Sequence, residues 1–342
     1  MKGVNMKLLF SFASLIAITI SGATQVRKIQ VVPGGENIGI EVKPGGLLIS
    51  GTYDIDYDTK TYNPSRDSDI QKGDLIVKAN DEAIKTINDF ITTFKNNDKT
   101  SDVKLKIKRH SKFYERHLKV IKVNDRYKTG LFVKERLLGI GTVSFYDEKT
   151  KMYGALGHEI GNGIDSSELE VDTGSIYDST VTSINPSMNS KPGEKVADID
   201  FNDYFGNVLK NTPIGIYGKY DVLPSNSASL DVAEISEVHK GKAEIRTVTK
   251  GKEVSVYQIE ITEVKKQEES APKGITFKVT DERLLSISNG IVAGMSGSPI
   301  IQDNKVVGAV THVLVDKVHY GYGVYMRFMF DMAQSVYKEY YE

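Results

Sequence analysis

The chain has 342 residues, 39% hydrophobic and 26% charged, a composition typical of soluble globular proteins of about two domains. The formal net charge is −1, and Lys and Arg are spread along the chain, which argues against a nucleic-acid partner. The absence of cysteine excludes disulfides, thiolate zinc sites and a cysteine nucleophile.

The first 24 residues have the pattern of an export signal. Lys2 and Lys7 precede an apolar run of 13 residues, Leu8 to Ile20, and small residues follow. A membrane span needs about 20 apolar residues, so this run fits the core of a signal peptide. We predict export across the cytoplasmic membrane, with residues 1–24 acting either as a cleaved signal peptide or as a membrane anchor.

Residues 25–42 are predicted to be a connector, and residues 43–123 a small α+β unit. The apolar run Leu47–Ile49 predicts a strand, and the apolar residues of 87–94 recur at the spacing of one helix face. A strand beside a helix would form an edge groove for an added peptide strand. The predicted groove residues are Gly45, Gly46, Leu47, Leu48 and Ile49, the two glycines offering N–H groups to a terminal carboxylate. Two occupants stay open: a separate peptide, or the chain itself, for instance its own N-terminal segment.

From residue 124 to residue 342 the chain alternates short β-branched or apolar runs with Gly, Pro, Asn and Asp. Many short strands with regular turns predict an all-β barrel or sandwich. A helix is predicted only at the end, over residues 327–340, with Met329, Met332, Ala333 and Val336 facing inward.

The sharpest chemical signal is the Gly-flanked serine in Gly294-Met295-Ser296-Gly297. A serine hydroxyl becomes a useful nucleophile when a base takes its proton and N–H groups stabilise the oxyanion. We predict Ser296 as nucleophile and the N–H groups of Gly294 and Ser296 as the oxyanion hole. The alternative is a polar hairpin turn.

The base is expected to be a histidine. His158 is favoured among the six because it follows Gly154-Ala155-Leu156-Gly157, whose small residues leave room for an imidazole. His312 is predicted to lie in the wall of the substrate pocket. Since no second histidine follows His158 at the spacing of a zinc helix, neither a metal nor another cofactor is predicted.

Four blocks carry a family resemblance: residues 141–147, residues 154–158, Lys191-Pro192-Gly193-Glu194, and residues 294–300. Together they resemble the sporulation peptidase family of stage IV sporulation protein B. The resemblance implies a mainly β fold, in which a small α+β PDZ-like domain (43–123) precedes a trypsin-like double β-barrel (124–342). It also implies His158 as general base, Ser296 as nucleophile and Asp281 as the acid.

The acid is the least determined member of this set. Asp281 lies only 15 residues before Ser296, so it could orient His158 or support the serine loop. Asp172, Asp198 and Asp200 compete for the orienting role, because triads are recognised by geometry rather than by position in the chain.

The resemblance further implies a serine endopeptidase of endospore formation that acts in the intermembrane space of the developing spore. Its substrate would be a protein that regulates a membrane-embedded protease, and cleavage would trigger processing of a sigma-factor precursor. Self-cleavage near the N-terminus is expected too. The alternative is a catalytically inactive PDZ-type binding or signalling protein of the cell envelope.

Overall fold

A computed structural model describes residues 28–95, 100–161, 171–223 and 228–342. The predicted signal peptide or anchor, residues 1–24, lies outside these ranges. No helix within them is both long enough and apolar enough to cross a membrane.

The described residues form mainly short strands. In the first half of the chain these are β1 (Gln30–Pro33), β2 (Asn37–Lys43), β3 (Leu47–Thr52), β4 (Ile55–Tyr57), β5 (Lys60–Tyr62), β6 (Leu75–Ala79), β7 (Glu82–Ala83), β8 (Thr100–Arg109), β9 (Lys112–Val123), β10 (Arg126–Lys128), β11 (Leu131–Lys134) and β12 (Leu137–Asp147). In the second half they are β13 (Met152–Ala155), β14 (Thr173–Asn185), β15 (Glu194–Asn207), β16 (Lys210–Thr212), β17 (Gly215–Lys219), β18 (Leu230–Val232), β19 (Gly241–Val248), β20 (Val254–Val264), β21 (Ile275–Val279), β22 (Pro299–Gln302), β23 (Lys305–Val313) and β24 (Tyr320–Tyr325). The helices are α1 (Pro64–Ser68), α2 (Ile87–Thr92), α3 (Glu282–Ser288) and α4 (Met326–Tyr341), and Ile235–Glu237 forms a 3₁₀ turn.

Six strands near the C-terminus close into a barrel. Their order is β19, β20, β21, β24, β23 and β22, and β22 pairs back to β19 through Glu244 opposite Ile301 and Ile245 opposite Ile300. Alternate residues of these strands point inward, and Ile245, Ile259 and Phe277 are fully or almost fully buried there. We call this the second barrel.

A first barrel is built from β15, β14, β2, β12, β13 and β17 in that order. It closes through an isolated antiparallel bridge between Gly206 at the end of β15 and Tyr220 just after β17, and through the short β16, which follows β15 and pairs with β17. Ile38, Ile40 and Ile176 are among its buried residues. The predicted trypsin-like double barrel is confirmed, and β1 and β18 join the two barrels, because β1 pairs with β12 and β18 pairs with β23.

The structure differs from the prediction in the segment 25–42, which was expected to be a connector. Its described part contains β1 and most of β2, and β2 pairs with both β12 and β14 inside the first barrel. The apolar residues of this segment are therefore barrel core. Gly34 and Gly35 lie in the turn between β1 and β2, whereas Pro33 ends β1 and Gly39 lies within β2. The small α+β domain precedes most of the catalytic unit in the chain, as predicted, and the structure adds that it is inserted between β2 and β12 of the first barrel.

The inserted domain has its own sheet, in the order β10, β9, β8, β6, β3 and β11, with β7 beside β6. Leu47, Ile76, Val103 and Leu105 are fully buried in its core, together with Phe90 from α2. Helix α2 begins with a capping box, in which the Thr86 hydroxyl accepts from the N–H of Asp89 and the Asp89 carboxylate accepts from the N–H of Thr86. The predicted PDZ-like α+β fold is confirmed.

The C-terminal helix α4 packs across both barrels. Met326, Met329, Ala333 and Val336 are buried among residues of β1, β12, β17 and β23, whereas Met332 is only partly buried. The expected inward face is therefore present.

Candidate active site

The serine turn connects α3 to β22 and depends on two glycines. Gly294 has φ +92° and Gly297 has φ +96°, values that residues with a side chain rarely adopt. A Cβ on Gly297 would lie 1.9 Å from the carbonyl oxygen of Thr142 in β12. The glycines therefore permit both the bend of the turn and its close approach to the first barrel.

The N–H groups of the turn alternate between bonded and free. Met295 N donates to Val292 O at 3.1 Å, and Gly297 N donates to Val310 O at 2.7 Å. Gly294 N and Ser296 N donate to no acceptor within the part of the chain that the structure describes. Two free N–H groups on alternate residues are what an oxyanion hole requires.

Ser296 is half-buried, and its hydroxyl is held by the second barrel. The Oγ atom donates to the carbonyl oxygen of Thr311 in β23 at 2.7 Å. The side chain can thus be reached from solvent and sits beside the strand that carries His312.

His158 lies in the loop after β13. Leu156 and Gly157 precede it with φ of 69° and 67°, so the chain turns sharply as it leaves the strand. Gly157 faces the second barrel, where an added Cβ would meet Thr311 Cγ2 at 3.0 Å. The histidine loop and the serine turn therefore touch the same residue, Thr311.

Backbone hydrogen bonds tie the two segments together as well. Thr142 N donates to Ser296 O at 3.0 Å, and Leu156 N donates to Thr142 O at 3.2 Å. His158 and Ser296 thus lie at one corner between the barrels. No hydrogen bond among the described residues joins their side chains, so that contact stays a prediction.

The protonation pattern of His158 suits a general base. Its Nδ1 lies 2.7 Å from the carbonyl oxygen of Glu159, and because a carbonyl only accepts, Nδ1 carries the proton. Nε2 then keeps its lone pair. Burial lowers the pKa of His158, with the Glu159 contact opposing, so the ring is neutral near pH 7. The carbonyl of Glu159 fixes the tautomer, as a carboxylate does in a triad.

His312 stacks beside His158. The two ring centroids are 4.8 Å apart, with 37° between the ring planes. Desolvation, followed by the charges of His158 and Lys273, lowers the pKa of His312 to about 4. A neutral imidazole next to the proposed base is compatible with the predicted place in the pocket wall, which stays a prediction.

Asp281 has partners other than His158. It caps the N-terminus of α3, accepts from Arg283 Nη2 at 2.7 Å and accepts from Gln258 N at 3.2 Å. The Arg283 guanidinium and these N–H groups lower the pKa of Asp281 to about 2. No described hydrogen bond links it to His158, so its membership of a triad stays a prediction.

The three competing carboxylates also have surroundings other than the His158 ring. Asp172 pairs with Lys85 at 3.2 Å, Asp200 accepts from Asn202 N at 3.0 Å, and Asp198 is exposed on β15. Within the described residues none of the three hydrogen bonds to His158.

The edge of the predicted peptide groove is occupied by the chain itself. Strand β11 pairs antiparallel with β3, with Val133 opposite Ile49 and Lys134 opposite Leu48. The stretch that leads back into the first barrel thus lies along the edge of β3, and binding of a separate peptide or of the N-terminal segment stays a prediction. At the glycine end of the groove, Asp172 packs against Gly45, so a carboxylate already lies at the expected carboxylate end.

Two features of the site could not be recognised in the sequence. One is the carbonyl of Glu159, which any residue could supply. The other is Lys195, which is buried behind the serine turn; its only signal was its position directly after the block Lys191–Glu194. Among the described residues no group of three or more His, Asp or Glu side chains could hold a metal ion.

Comparisons with known proteins agree with this arrangement. A family model described as SpoIVB peptidase S55 matches residues 125–330, and a PDZ domain model matches residues 37–120. No curated protein matches the chain.

Several solved structures also match the chain. The active form of the Rv3671c protease from M. tuberculosis is 13% identical, covering 58% of this chain and 74% of that one with a TM-score of 0.37. Its inactive form is 12% identical, covering 58% and 84% with a TM-score of 0.34.

Proposed function

The chain is a serine peptidase that belongs to the SpoIVB peptidase S55 family, and we propose that it is an exported endopeptidase of endospore formation. The observation that carries the catalytic part is the pair of free N–H groups at Gly294 and Ser296, set beside a neutral imidazole. With the Ser296 hydroxyl as nucleophile, the imidazole as base and the two N–H groups as oxyanion site, all the parts of the proposed site lie at one corner of the double barrel.

In the proposed mechanism Ser296 attacks the scissile carbonyl. Its hydroxyl first turns from Thr311 O toward His158, a change of side-chain rotamer that leaves the turn in place. Nε2 of His158 takes the proton, and the hydrogen bond from Nδ1–H to Glu159 O stabilises the positive charge that forms on the ring. The N–H groups of Gly294 and Ser296 stabilise the oxyanion, and His158 returns the proton to the amine as the C–N bond breaks. Water, deprotonated by His158, then hydrolyses the ester on Ser296, and the proton returns to Oγ.

The biological part of the proposal rests on family membership. We place the protein in the intermembrane space of the developing spore, reached by export through residues 1–24. Its substrate is then a regulator of a membrane-embedded protease, and cleavage triggers sigma-factor precursor processing. Self-cleavage near the N-terminus is part of the same proposal.

Covalent labelling tests the catalytic part. We expect a fluorescent alkyl fluorophosphonate to label the purified full chain, Ser296→Ala to remove the label, and His158→Ala to slow labelling by at least about 10³-fold. The matched control is Ser286→Ala, an exposed serine whose hydroxyl donates only to Arg283 O. A wild-type protein that folds, binds peptides and takes no label would support the inactive binding protein instead.

Spore formation tests the biological part. In a spore-forming host whose own copy carries Ser296→Ala, we expect the sigma-factor precursor to stay unprocessed and the self-cleavage fragments to disappear. Normal precursor processing in that strain would remove the sporulation role while leaving the peptidase assignment intact.

The partner of the inserted domain is proposed to be a peptide that replaces β11. Glu135, just after β11, accepts from the N–H of Ile87 at the start of α2 at 2.8 Å, so this carboxylate helps to hold the internal strand. A competing peptide of the same pattern would make the same ladder with β3.

A synthetic peptide with the sequence of residues 131–135 probes this exchange. We expect it to bind Glu135→Ala in the full chain several-fold more tightly than it binds wild type, because the internal strand is then held less firmly. Lys134→Ala, on an exposed side chain of the same strand, should bind like wild type. If the peptide binds measurably to none of the three proteins, β11 is a permanent part of the sheet and the exchange does not occur.

A further inference from the structure

Lys195 lies buried behind the serine turn, and its ammonium contacts three neutral oxygens. Lys195 is 5% exposed, and its Nζ atom contacts Thr247 Oγ1 at 3.0 Å, Asn37 Oδ1 at 3.2 Å and Thr142 Oγ1 at 3.4 Å. No carboxylate within the described ranges pairs with it. Burial lowers its pKa to about 7. Burying an ammonium against neutral oxygens alone is costly for a fold, so the group needs another explanation.

The backbone of Lys195 holds the first peptide of the oxyanion turn. Its N–H donates to Ala293 O at 2.9 Å, and Glu194 pairs with Ala293 as an isolated parallel bridge. In a trans peptide the C=O and the following N–H point in opposite directions. Fixing the oxygen of Ala293 toward Lys195 therefore turns the N–H of Gly294 away from it, into the open side of the turn.

The side chain of Lys195 reaches the next peptide through Thr142. The Thr142 hydroxyl has one proton, which it donates to Gly294 O at 2.8 Å, so its lone pairs accept from the ammonium. The carbon stem of Lys195 also packs against the turn, since a Cβ on Gly294 would lie 3.1–3.2 Å from its Cβ, Cγ and Cδ atoms.

The third peptide of the turn is fixed from within. Ser298 N donates to Met295 O at 3.0 Å, which turns the N–H of Ser296 away from Ser298 and leaves it, like that of Gly294, without an acceptor among the described residues. Three successive carbonyl groups are thus held, and the first two of them depend on Lys195. Gly294 O belongs to the peptide between the two donor peptides, whose own N–H, on Met295, donates to Val292 O. The acceptors of its ammonium come from both barrels, Asn37 and Thr142 from the first and Thr247 from the second.

We propose that Lys195 is a positioning residue of the oxyanion hole, whose side chain fixes the Gly294–Met295 peptide, between the two donor peptides, through Thr142 and locks the serine turn against both barrels. This rests on the proposed role of Ser296 as nucleophile. Lys195 does not touch the substrate, and its effect reaches the reaction through the direction of two N–H groups.

Lys195→Met in the full chain tests the proposal, since methionine keeps the apolar stem and removes the ammonium. We expect the rate of fluorophosphonate labelling at Ser296 to fall about 10²-fold, the size of losing one oxyanion donor. Tm should stay level or rise, because an uncompensated buried charge is gone. Thr142→Val, which keeps the ammonium and removes the link to Gly294 O, should slow labelling to a similar degree. Lys242→Met, exposed on β19, is the matched control.

A readout independent of activity separates this proposal from the peptidase assignment. Amide hydrogen exchange over residues 293–297 should quicken in Lys195→Met and Thr142→Val, while exchange in β19 to β21 is unchanged. A wild type that takes no label, with faster exchange in both variants, would overturn the nucleophile role and keep the positioning role. Labelling within threefold of wild type and unchanged exchange would overturn the positioning role. A lowered Tm with normal labelling of the folded fraction would make Lys195 a purely structural residue.

Discussion

The two barrels each hold one half of the proposed site, and they differ in how completely their neighbouring strands are paired. In the second barrel, which positions Ser296, every strand is paired with two neighbours by a ladder. In the first barrel, which carries His158, β15 itself meets β17 only at the isolated bridge between Gly206 and Tyr220, and the short β16 completes the contact with β17. A whole domain also interrupts the β2–β12 hairpin of this barrel.

This difference suits the different demands that the two halves of the proposed site place on the barrels. Regions with fewer backbone hydrogen bonds open locally at lower free energy. The proposed oxyanion hole needs fixed N–H directions and lies on the continuous barrel, whereas the proposed base needs only to come within reach and lies on the less continuous one. We expect the histidine half to be the one that adjusts.

The largest expected effect breaks the contact between the halves. In Gly297→Ala the new Cβ would overlap Thr142 O, and φ +96° is strained for alanine, so we expect a loss of about 3 kcal/mol or more in the free energy of unfolding. Gly139→Ala, with no atom within 4 Å of its new Cβ, is the control and should stay near wild type. Urea unfolding measures both, and equal stability of the two variants would contradict the close approach.

A second variant weakens the closure of the first barrel alone. In Gly206→Ala a Cβ would lie 2.3 Å from Lys219 O, which disrupts the bridge to Tyr220. We expect a loss of about 2 kcal/mol and faster hydrogen exchange in β15 and β17, with β19 to β24 unaffected. Faster exchange in both barrels alike would mean that they open as one unit and that the comparison fails.

Asp281→Asn tests whether this carboxylate orients His158 or supports the loop that carries Ser296. The structure ties Asp281 to Arg283 and the start of α3, so we expect a stability loss of about 1 kcal/mol and turnover within a few-fold of wild type. Because its folded pKa of about 2 lies below the ordinary 3.8, the ionised carboxylate stabilises the fold above about pH 4, and this is lost as pH falls toward 2. The variant should lack that part of the acid transition. A fall in turnover of about 10⁴-fold would instead make Asp281 the orienting acid.

The smallest expected effect is a shift in pH dependence. The base must be neutral, and the pKa of His158 is lowered by burial, so the acid limb of kcat/KM should have its midpoint below 6.5. His312→Ala exposes the ring of His158 to water, which should move the midpoint upward toward 6.5 by a few tenths of a pH unit. An unchanged or lower midpoint would show that His312 does not shield the base.

Periodicity and punctuation were sufficient to predict the mainly β fold, the small α+β domain and the inward face of α4. The chemistry of a Gly-flanked serine was sufficient to predict the turn and its free N–H groups, because those follow from residues next to one another. These are local properties, and local sequence carries them.

What could not be predicted depends on long-range pairing. A Gly- and Pro-containing stretch such as 30–43 looks like a linker until its partners in β12 and β14 are known. The filled groove has the same origin, since β11 shows no feature that assigns it to β3 rather than to solvent. Lys195 was missed because an isolated lysine next to a motif is usually exposed, and only the fold brings three neutral oxygens around it.

The inserted domain is attached to the barrel by two neighbouring strands, with Val42 opposite Leu137 near the attachment point. A domain tethered at two points cannot swivel freely, so a pull on it is transmitted as shear between β2 and β12. Five residues further along the same ladder, about 17 Å away, Asn37 faces Thr142, and both contact the ammonium of Lys195. A force applied to the inserted domain would therefore reach the ammonium of Lys195, which through Thr142 fixes the Gly294–Met295 peptide.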